Sequence, residues 1–211
     1  MAGAEWALVE RFRRGVCRVG TMIPADVSDA HRPFSCDAFV AHVVELAACA
    51  VREPQSEGRR RHVAEGLLTR YVRTVRVLGV DVRGVIAGRR AIPNAAASGS
   101  GVSPSVKPTG FDPALVSGGQ GGEALSHLAA AAAAVLMGKP WLVWGASVFD
   151  WLQGFVRRDR AQARAEVKGN RRGARVGEEL LRYLDHPDTT EGLRDRIARL
   201  VCDAASDRKR A

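Results

Sequence analysis

Hydrophobic positions along the chain recur every three or four residues, which is the period of a helix that buries one face. The predicted helices cover about 4–19, 36–53, 57–78, 123–137, 141–156, 157–175 and 178–184, followed by a last helix that runs to Val201. Asp188 or Thr189 is expected to cap that last helix. The valines between 80 and 85 alternate as in a strand, but the sequence shows no partner strand, so 80–91 is predicted as a short or continuing helix.

The segment 141–156 is apolar on nearly every side, and Asp150 is its single charged residue. An all-round apolar helix belongs in a core or in lipid, and this one is shorter than the ~20 residues that span a bilayer. We therefore predict an all-α fold, a bundle of about seven to eight helices around a central apolar helix at 141–156. Insertion of this helix and the preceding one as a membrane hairpin is kept as an alternative.

The segment 93–122 is rich in glycine, serine, proline and alanine. Such a composition buries too little apolar surface to offset the entropy of ordering the chain. It predicts a long flexible loop within a single helical domain that covers 1–211.

The composition bounds the class of protein. The chain has 211 residues, of which 46% are hydrophobic and 26% charged, enough for one full core. The net charge is +9, but most of the basic residues are arginine, which is typical of a GC-rich gene, so the charge alone does not indicate a nucleic-acid partner. The four cysteines show no C-x-x-C spacing and are predicted to be buried free thiols. Without a signal-peptide pattern, the predicted location is cytoplasmic and not secreted.

Tests for known chemical motifs predict neither a catalytic residue nor a cofactor. The pair Gly138-Lys139 is not a phosphate loop, because Ala133 and Pro140 stand where that motif needs glycine and Ser or Thr. The five histidines are dispersed and none has metal-site spacing. The sequence therefore predicts a non-enzymatic protein without a metal ion.

The run Leu136-Met-Gly-Lys-Pro-Trp-Leu-Val-Trp-Gly-Ala-Ser-Val-Phe149 places a turn at Gly138 and Trp144-Gly145 near the start of the apolar helix. Amphipathic helix 62–78 lies upstream of it. This order resembles the Bcl-2 family of apoptosis regulators, in which a Trp-Gly pair opens the central helix. Val143 and Ala146 stand where the family has Asn and Arg, a departure that would fit a divergent, for example viral, member.

The resemblance implies a groove that binds amphipathic helices of pro-apoptotic partner proteins. A cytoplasmic location peripheral to mitochondria, a homodimer and peripheral membrane contact without a transmembrane anchor are further expectations. The expected groove residues are Leu67, Tyr71, Val75, Leu136, Val143, Trp144, Gly145 and Phe149.

Two alternatives remain. A basic nucleic-acid or ribonucleoprotein component would contact phosphates with a cluster of arginines. Its predicted patch is Arg157, Arg158, Arg160, Arg164, Arg171, Arg172 and Arg175. The other alternative is a small enzyme or toxin, because His127 and the run Gly169-Asn170-Arg-Arg-Gly173 weakly resemble helical bacterial toxin domains.

Overall fold

The computed structural model describes residues 36–72, 76–77, 80–88, 123–156 and 159–202. The predicted helix 4–19 and loop 93–122 lie outside these residues. The described part contains seven packed helices, which confirms the all-α class. They are α1 (Cys36–Ala50), α2 (Ser56–Tyr71), α3 (Val82–Ala87), α4 (Glu123–Leu136), α5 (Pro140–Val156), α6 (Arg160–Asp185) and α7 (Thr190–Val201).

The segment predicted as a helix over 80–91 begins as a strand. Two dipeptides, β1 (Arg76–Val77) and β2 (Val80–Asp81), pair antiparallel, and the short helix α3 follows at once. The partner strand lies only a few residues upstream, where the sequence had predicted the end of a helix. Lys139 holds α3 in place, because its Nζ donates to the carbonyl of Val85 at 2.6 Å and to that of Ile86 at 3.1 Å.

The two helices predicted between 157 and 184 form a single helix, α6, of 26 residues. Asp159 begins it, because its carboxylate accepts the backbone N–H of Gln162 at 3.0 Å. Thr189, one of the two caps that the sequence offers, caps α7 in the same way, because its hydroxyl accepts the N–H of Gly192 at 3.1 Å.

Helix α4 lies at the centre of the described bundle and contacts α2, α3, α5 and α6. Its alanines leave room for a neighbouring backbone, and α6 places glycines against them. A Cβ at Gly173 would overlap the carbonyl oxygen of Leu128, and one at Gly177 would approach the carbonyl oxygen of Ala132 to 2.8 Å. The backbones of α4 and α6 therefore approach each other closely.

The prediction that 141–156 forms the central helix is wrong. Of the residues in α5, only Asp150 and Gly154 are buried. An all-round apolar sequence carries no periodic signal for the face that points inward, so the pattern identifies the helix but not its position. The alanine-rich α4, with less bulk and closer neighbours, occupies the centre instead.

The prediction of free thiols is also wrong. Cys36, the first residue of α1, forms a disulfide with Cys202, which directly follows α7, and Cys49 is disulfide-bonded as well. The two bonded residues are 166 positions apart, so local spacing gives no sign of the pair. Because α7 packs against α1, the Cα atoms of Cys36 and Cys202 lie 5.7 Å apart.

Candidate functional site

The most unusual surface described is one side of α5, which we call the α5 outer face. Eight large hydrophobic side chains on it are exposed, with Trp144 at 73% and Val156 at 80%. Contiguous exposed apolar patches of this kind mark contact sites for proteins or membranes. The face consists of Trp141, Trp144, Val148, Phe149, Trp151, Leu152, Phe155 and Val156.

The opposite side of α5 carries small and polar groups together with Val143, which packs against the core. Asp150 and Gly154 are buried there, and Ser147 is half-buried. A Cβ at Gly154 would overlap that of Ala163, so α5 and the start of α6 lie in close contact at this point. The aromatic groups of this helix therefore point outward, where an ordinary surface helix carries polar groups.

A pocket of about 270 Å³ opens where the α5 outer face meets the first turns of α6. Its walls are apolar, from Trp151 and Phe155, and it is also lined by Arg160 and Arg164. The Arg160 guanidinium lies 5.9 Å from the centre of the Phe155 ring, a cation–π distance. Cations therefore directly border the aromatic surface.

The predicted basic patch lies partly on this border. Arg160, Arg164, Arg171 and Arg175 are exposed and recur every three, four or seven residues along α6, which places them on one face with Lys168. Arg172 is half-buried, and Arg157 and Arg158 lie outside the described residues.

The expected groove residues do not form one surface. Leu67, Tyr71 and Leu136 are at most 2% exposed within the core. Trp144 and Phe149 are exposed on α5, with Gly145 between them, and no described residue beyond its chain neighbours and its own helix backbone lies within 4 Å of the position of its missing Cβ. Val143 is partly buried against the core, and Val75 lies outside the described residues.

Beneath α5, a cluster of polar side chains joins three helices. His127 of α4 places its Nδ1 3.1 Å from Asn170 Oδ1 and 3.3 Å from Asp150 Oδ2. The Asn170 amide donates to Asp150 Oδ2 at 2.8 Å and to Ser147 Oγ at 3.3 Å. Glu166, one turn before Asn170 on α6, accepts a hydrogen bond from Gln162 at 2.9 Å.

This cluster combines buried polar side chains with one histidine that solvent can reach. Asp150, Glu166 and Asn170 are buried, whereas the His127 side chain keeps 26% of its surface exposed. Burial lowers the pKa of His127, but its hydrogen bond to Asp150 and the charge of that carboxylate outweigh burial, so the pKa lies above its ordinary value. The contact between His127 and Asp150 thus favours the charged form of the imidazole more than water does.

Comparison of the chain with protein-family models, with curated proteins and with solved structures finds no match. Among the described residues, none of the helices is both long and apolar enough to cross a bilayer.

Sequence reasoning pointed to His127 and Asn170 through the toxin-like run but missed Asp150 and Glu166 as their partners. Asp150 did carry a signal, because it is the single charged residue in an otherwise apolar helix. A lone carboxylate in such a segment has to find a polar partner. Glu166 gave no comparable signal within a highly charged stretch.

Proposed function

We propose that this protein is a non-enzymatic helical module that docks onto an anionic membrane surface through the α5 outer face. The observation that carries the proposal is the exposure of eight large apolar side chains, three of them tryptophan, on a helix whose fully buried residues are Asp150 and Gly154.

The energetics of the face favour an apolar partner phase. Removing one such side chain from water contributes about 1.5–3 kcal/mol when burial is complete. Tryptophan is enriched at the boundary between lipid headgroups and acyl chains, where its ring is shielded and its N–H stays hydrated. A helix lying flat in that boundary would place Trp141, Trp144 and Trp151 there together.

The charges select an anionic surface. Arg160 and Arg164 line the pocket that borders the aromatic face, and the chain carries a net charge of +9. Each basic residue near an anionic leaflet contributes about 1 kcal/mol at physiological salt. A second copy of the chain docked face to face would instead bring these cations toward each other.

The groove-binding function expected from the Bcl-2 resemblance has less support from this geometry. Leu67, Tyr71 and Leu136 would have to leave the core before they could contact a partner helix. A partner helix laid across the α5 outer face itself is the nearest related arrangement, and it is a distinct outcome of the experiment below.

Vesicle co-sedimentation tests the proposal. We expect the protein to bind phosphatidylcholine vesicles that contain phosphatidylserine, and to bind pure phosphatidylcholine vesicles much more weakly. The double variant Trp144→Ser/Phe149→Ser should reduce binding by at least about ten-fold, because two apolar anchors are lost. Its control is Val85→Ser, which removes an exposed apolar side chain from α3.

A second pair of variants tests the charges. Arg160→Gln/Arg164→Gln should weaken binding about ten-fold or more at low salt and progressively less as salt screens the vesicle charge. Arg194→Gln/Arg199→Gln makes the same charge change on exposed positions of α7 and should have a smaller effect.

Three results would overturn the membrane proposal. The first is absence of binding to anionic vesicles, and the second is equal binding by the Trp144/Phe149 variant. The third is tight binding of pro-apoptotic helix peptides or of nucleic acid by protein that does not bind vesicles. That last result would favour one of the alternatives drawn from the sequence.

A second candidate function, a small helical enzyme or toxin, is favoured by one specific contact. His127 and Asn170, the two residues of the toxin-like pattern, are 43 positions apart in the chain, yet His127 Nδ1 lies 3.1 Å from Asn170 Oδ1. If this function holds, expression of the chain should slow bacterial growth and His127→Ala should restore it. Growth inhibition that persists in His127→Ala would contradict it.

A further inference from the structure

The buried polar cluster contains the donor types of a metal site. His127, Asp150 and Glu166 each offer one ligand atom, and these three atoms lie within 4.8 Å of one another. Each comes from a different helix, α4, α5 and α6. Helical bundles commonly hold metal ions with carboxylate and imidazole groups that project from facing helices in this way.

Two distances within the cluster match those between neighbouring ligands of one ion. Ligand atoms bound at about 2.0–2.2 Å to a common ion lie about 3.0–3.5 Å apart. His127 Nδ1 is 3.1 Å from Asn170 Oδ1 and 3.3 Å from Asp150 Oδ2. One ring nitrogen carries at most one proton, so it cannot satisfy both oxygens with good hydrogen bonds.

We propose that His127, Asp150 and Glu166, with Asn170 Oδ1 as a fourth donor, bind one divalent transition-metal ion. One imidazole with three oxygen donors suits Mn²⁺, Fe²⁺ or Zn²⁺ better than the all-oxygen sites of Ca²⁺ or Mg²⁺. The +2 charge of the ion would balance the two negative charges of the Asp150 and Glu166 carboxylates, so the buried site would be neutral overall.

The surroundings suit such an ion. The partly exposed His127 side chain provides an entry path, while Asp150 and Asn170 are buried and hold their positions by hydrogen bonding to each other. An ion at this point would connect α5 to both α4 and α6. It would thus stabilise the attachment of α5, whose fully buried residues are Asp150 and Gly154.

The experiment uses the full chain with its disulfides intact, treated with a chelator and then titrated with MnCl₂ or ZnCl₂ in a calorimeter. We expect one ion per chain and a rise in the thermal midpoint of unfolding. Asp150→Asn and Glu166→Gln keep the side-chain shapes and should each weaken binding by at least about ten-fold. His186→Gln removes an exposed histidine at the end of α6 and should leave binding unchanged.

Paramagnetic Mn²⁺ gives an independent measure of position. It should broaden the NMR signals of the His127 ring before those of His62 or His186. The proposal is overturned by absence of binding at millimolar Mn²⁺ and Zn²⁺. It is equally overturned by binding that survives in both carboxylate variants, or by broadening that begins at His62 or His186. Vesicle binding is measured in a separate experiment, so failure of the metal-site proposal would leave the membrane proposal standing, and the reverse also holds.

Discussion

Two glycines of α6 determine how closely that helix approaches α4. Gly173 and Gly177 leave space that the carbonyl groups of Leu128 and Ala132 occupy. This close approach also brings Asn170, three residues before Gly173, within hydrogen-bonding distance of His127, the residue before Leu128. The geometry of the polar cluster thus depends on residues that have no side chain.

Gly173→Ala should therefore destabilise the protein by at least about 2 kcal/mol, because the added methyl group forces the two helices apart. Gly145→Ala is the matched control, since the added Cβ would meet no described residue within 4 Å beyond its chain neighbours and its own helix backbone. Alanine favours a helix interior over glycine, so Gly145→Ala should raise stability by about 0.5–1 kcal/mol. Urea unfolding measures both, and equal effects would contradict the packing described.

Asp188 makes an acid-sensitive contribution to stability. The hydrogen bond from Arg196, at 2.7 Å, lowers the pKa of Asp188. A lowered folded-state pKa stabilises the fold above the unfolded value of about 3.9, and this contribution is lost as the pH falls through the folded-state pKa. Asp188→Asn should thus lower the melting temperature near neutral pH and leave it unchanged in strong acid.

The control for that measurement is Asp195→Asn, an exposed carboxylate on α7 that forms no ion pair with another described residue. It should change the melting temperature much less at neutral pH. A difference between Asp188→Asn and the wild type that persists unchanged in strong acid would contradict the ion-pair account.

At the scale of elements, the orientation of α5 is the feature that most changes the interpretation. Trp144→Gln/Phe149→Gln should alter the free energy of unfolding by less than about 1 kcal/mol, because both side chains are exposed. Leu67→Ala, in the core, should cost about 2–5 kcal/mol. A large loss of stability in the α5 variant would show that this helix is enclosed, as the sequence had predicted.

The sequence predicted where most helices lie because their apolar residues recur with a helical period. The sequence did not predict which side of α5 faces the core, since apolar residues on nearly every side of a helix give no clear inner face. It failed for β1 because a two-residue strand leaves almost no pattern in a chain. The cap at Thr189 was predictable because capping depends on neighbours within one turn.

The candidate sites follow the same rule. Trp144, Gly145 and Phe149 were singled out from their local motif, and they do lie on an open surface. Leu67 and Leu136 were assigned to that surface by the resemblance alone, but both are in the core. The contact of His127 with Asp150 depends on how three helices pack, which no local spacing records.

At the scale of the whole molecule, the disulfide between Cys36 and Cys202 closes the described bundle from its first helix to its last. A cross-link over so long a loop stabilises mainly by restricting the unfolded chain, by about 5 kcal/mol in the chain-entropy model. The variant Cys36→Ala/Cys202→Ala should lose most of this free energy of unfolding, as measured by urea unfolding. A loss below about 1 kcal/mol would contradict that role.

The same disulfide bears on location. Disulfides persist in oxidising compartments and at cell or particle surfaces, and are rare in the reducing cytosol. We therefore propose an oxidising location for the folded chain in place of the cytoplasmic one expected from the sequence. Mass spectrometry of protein recovered from its native source under alkylating conditions tests this, and alkylated Cys36 and Cys202 would contradict it.

The most direct test of the central claim, that the α5 outer face contacts a membrane surface, is quenching of tryptophan fluorescence by brominated lipids. With Trp6→Phe, the remaining tryptophans, Trp141, Trp144 and Trp151, all belong to this face. On anionic vesicles we predict a blue-shifted emission, quenched more strongly by bromine near the headgroup than by bromine deep in the acyl chains. An emission spectrum unchanged at saturating anionic lipid, or vesicle-bound protein whose tryptophans are not quenched, would contradict the claim.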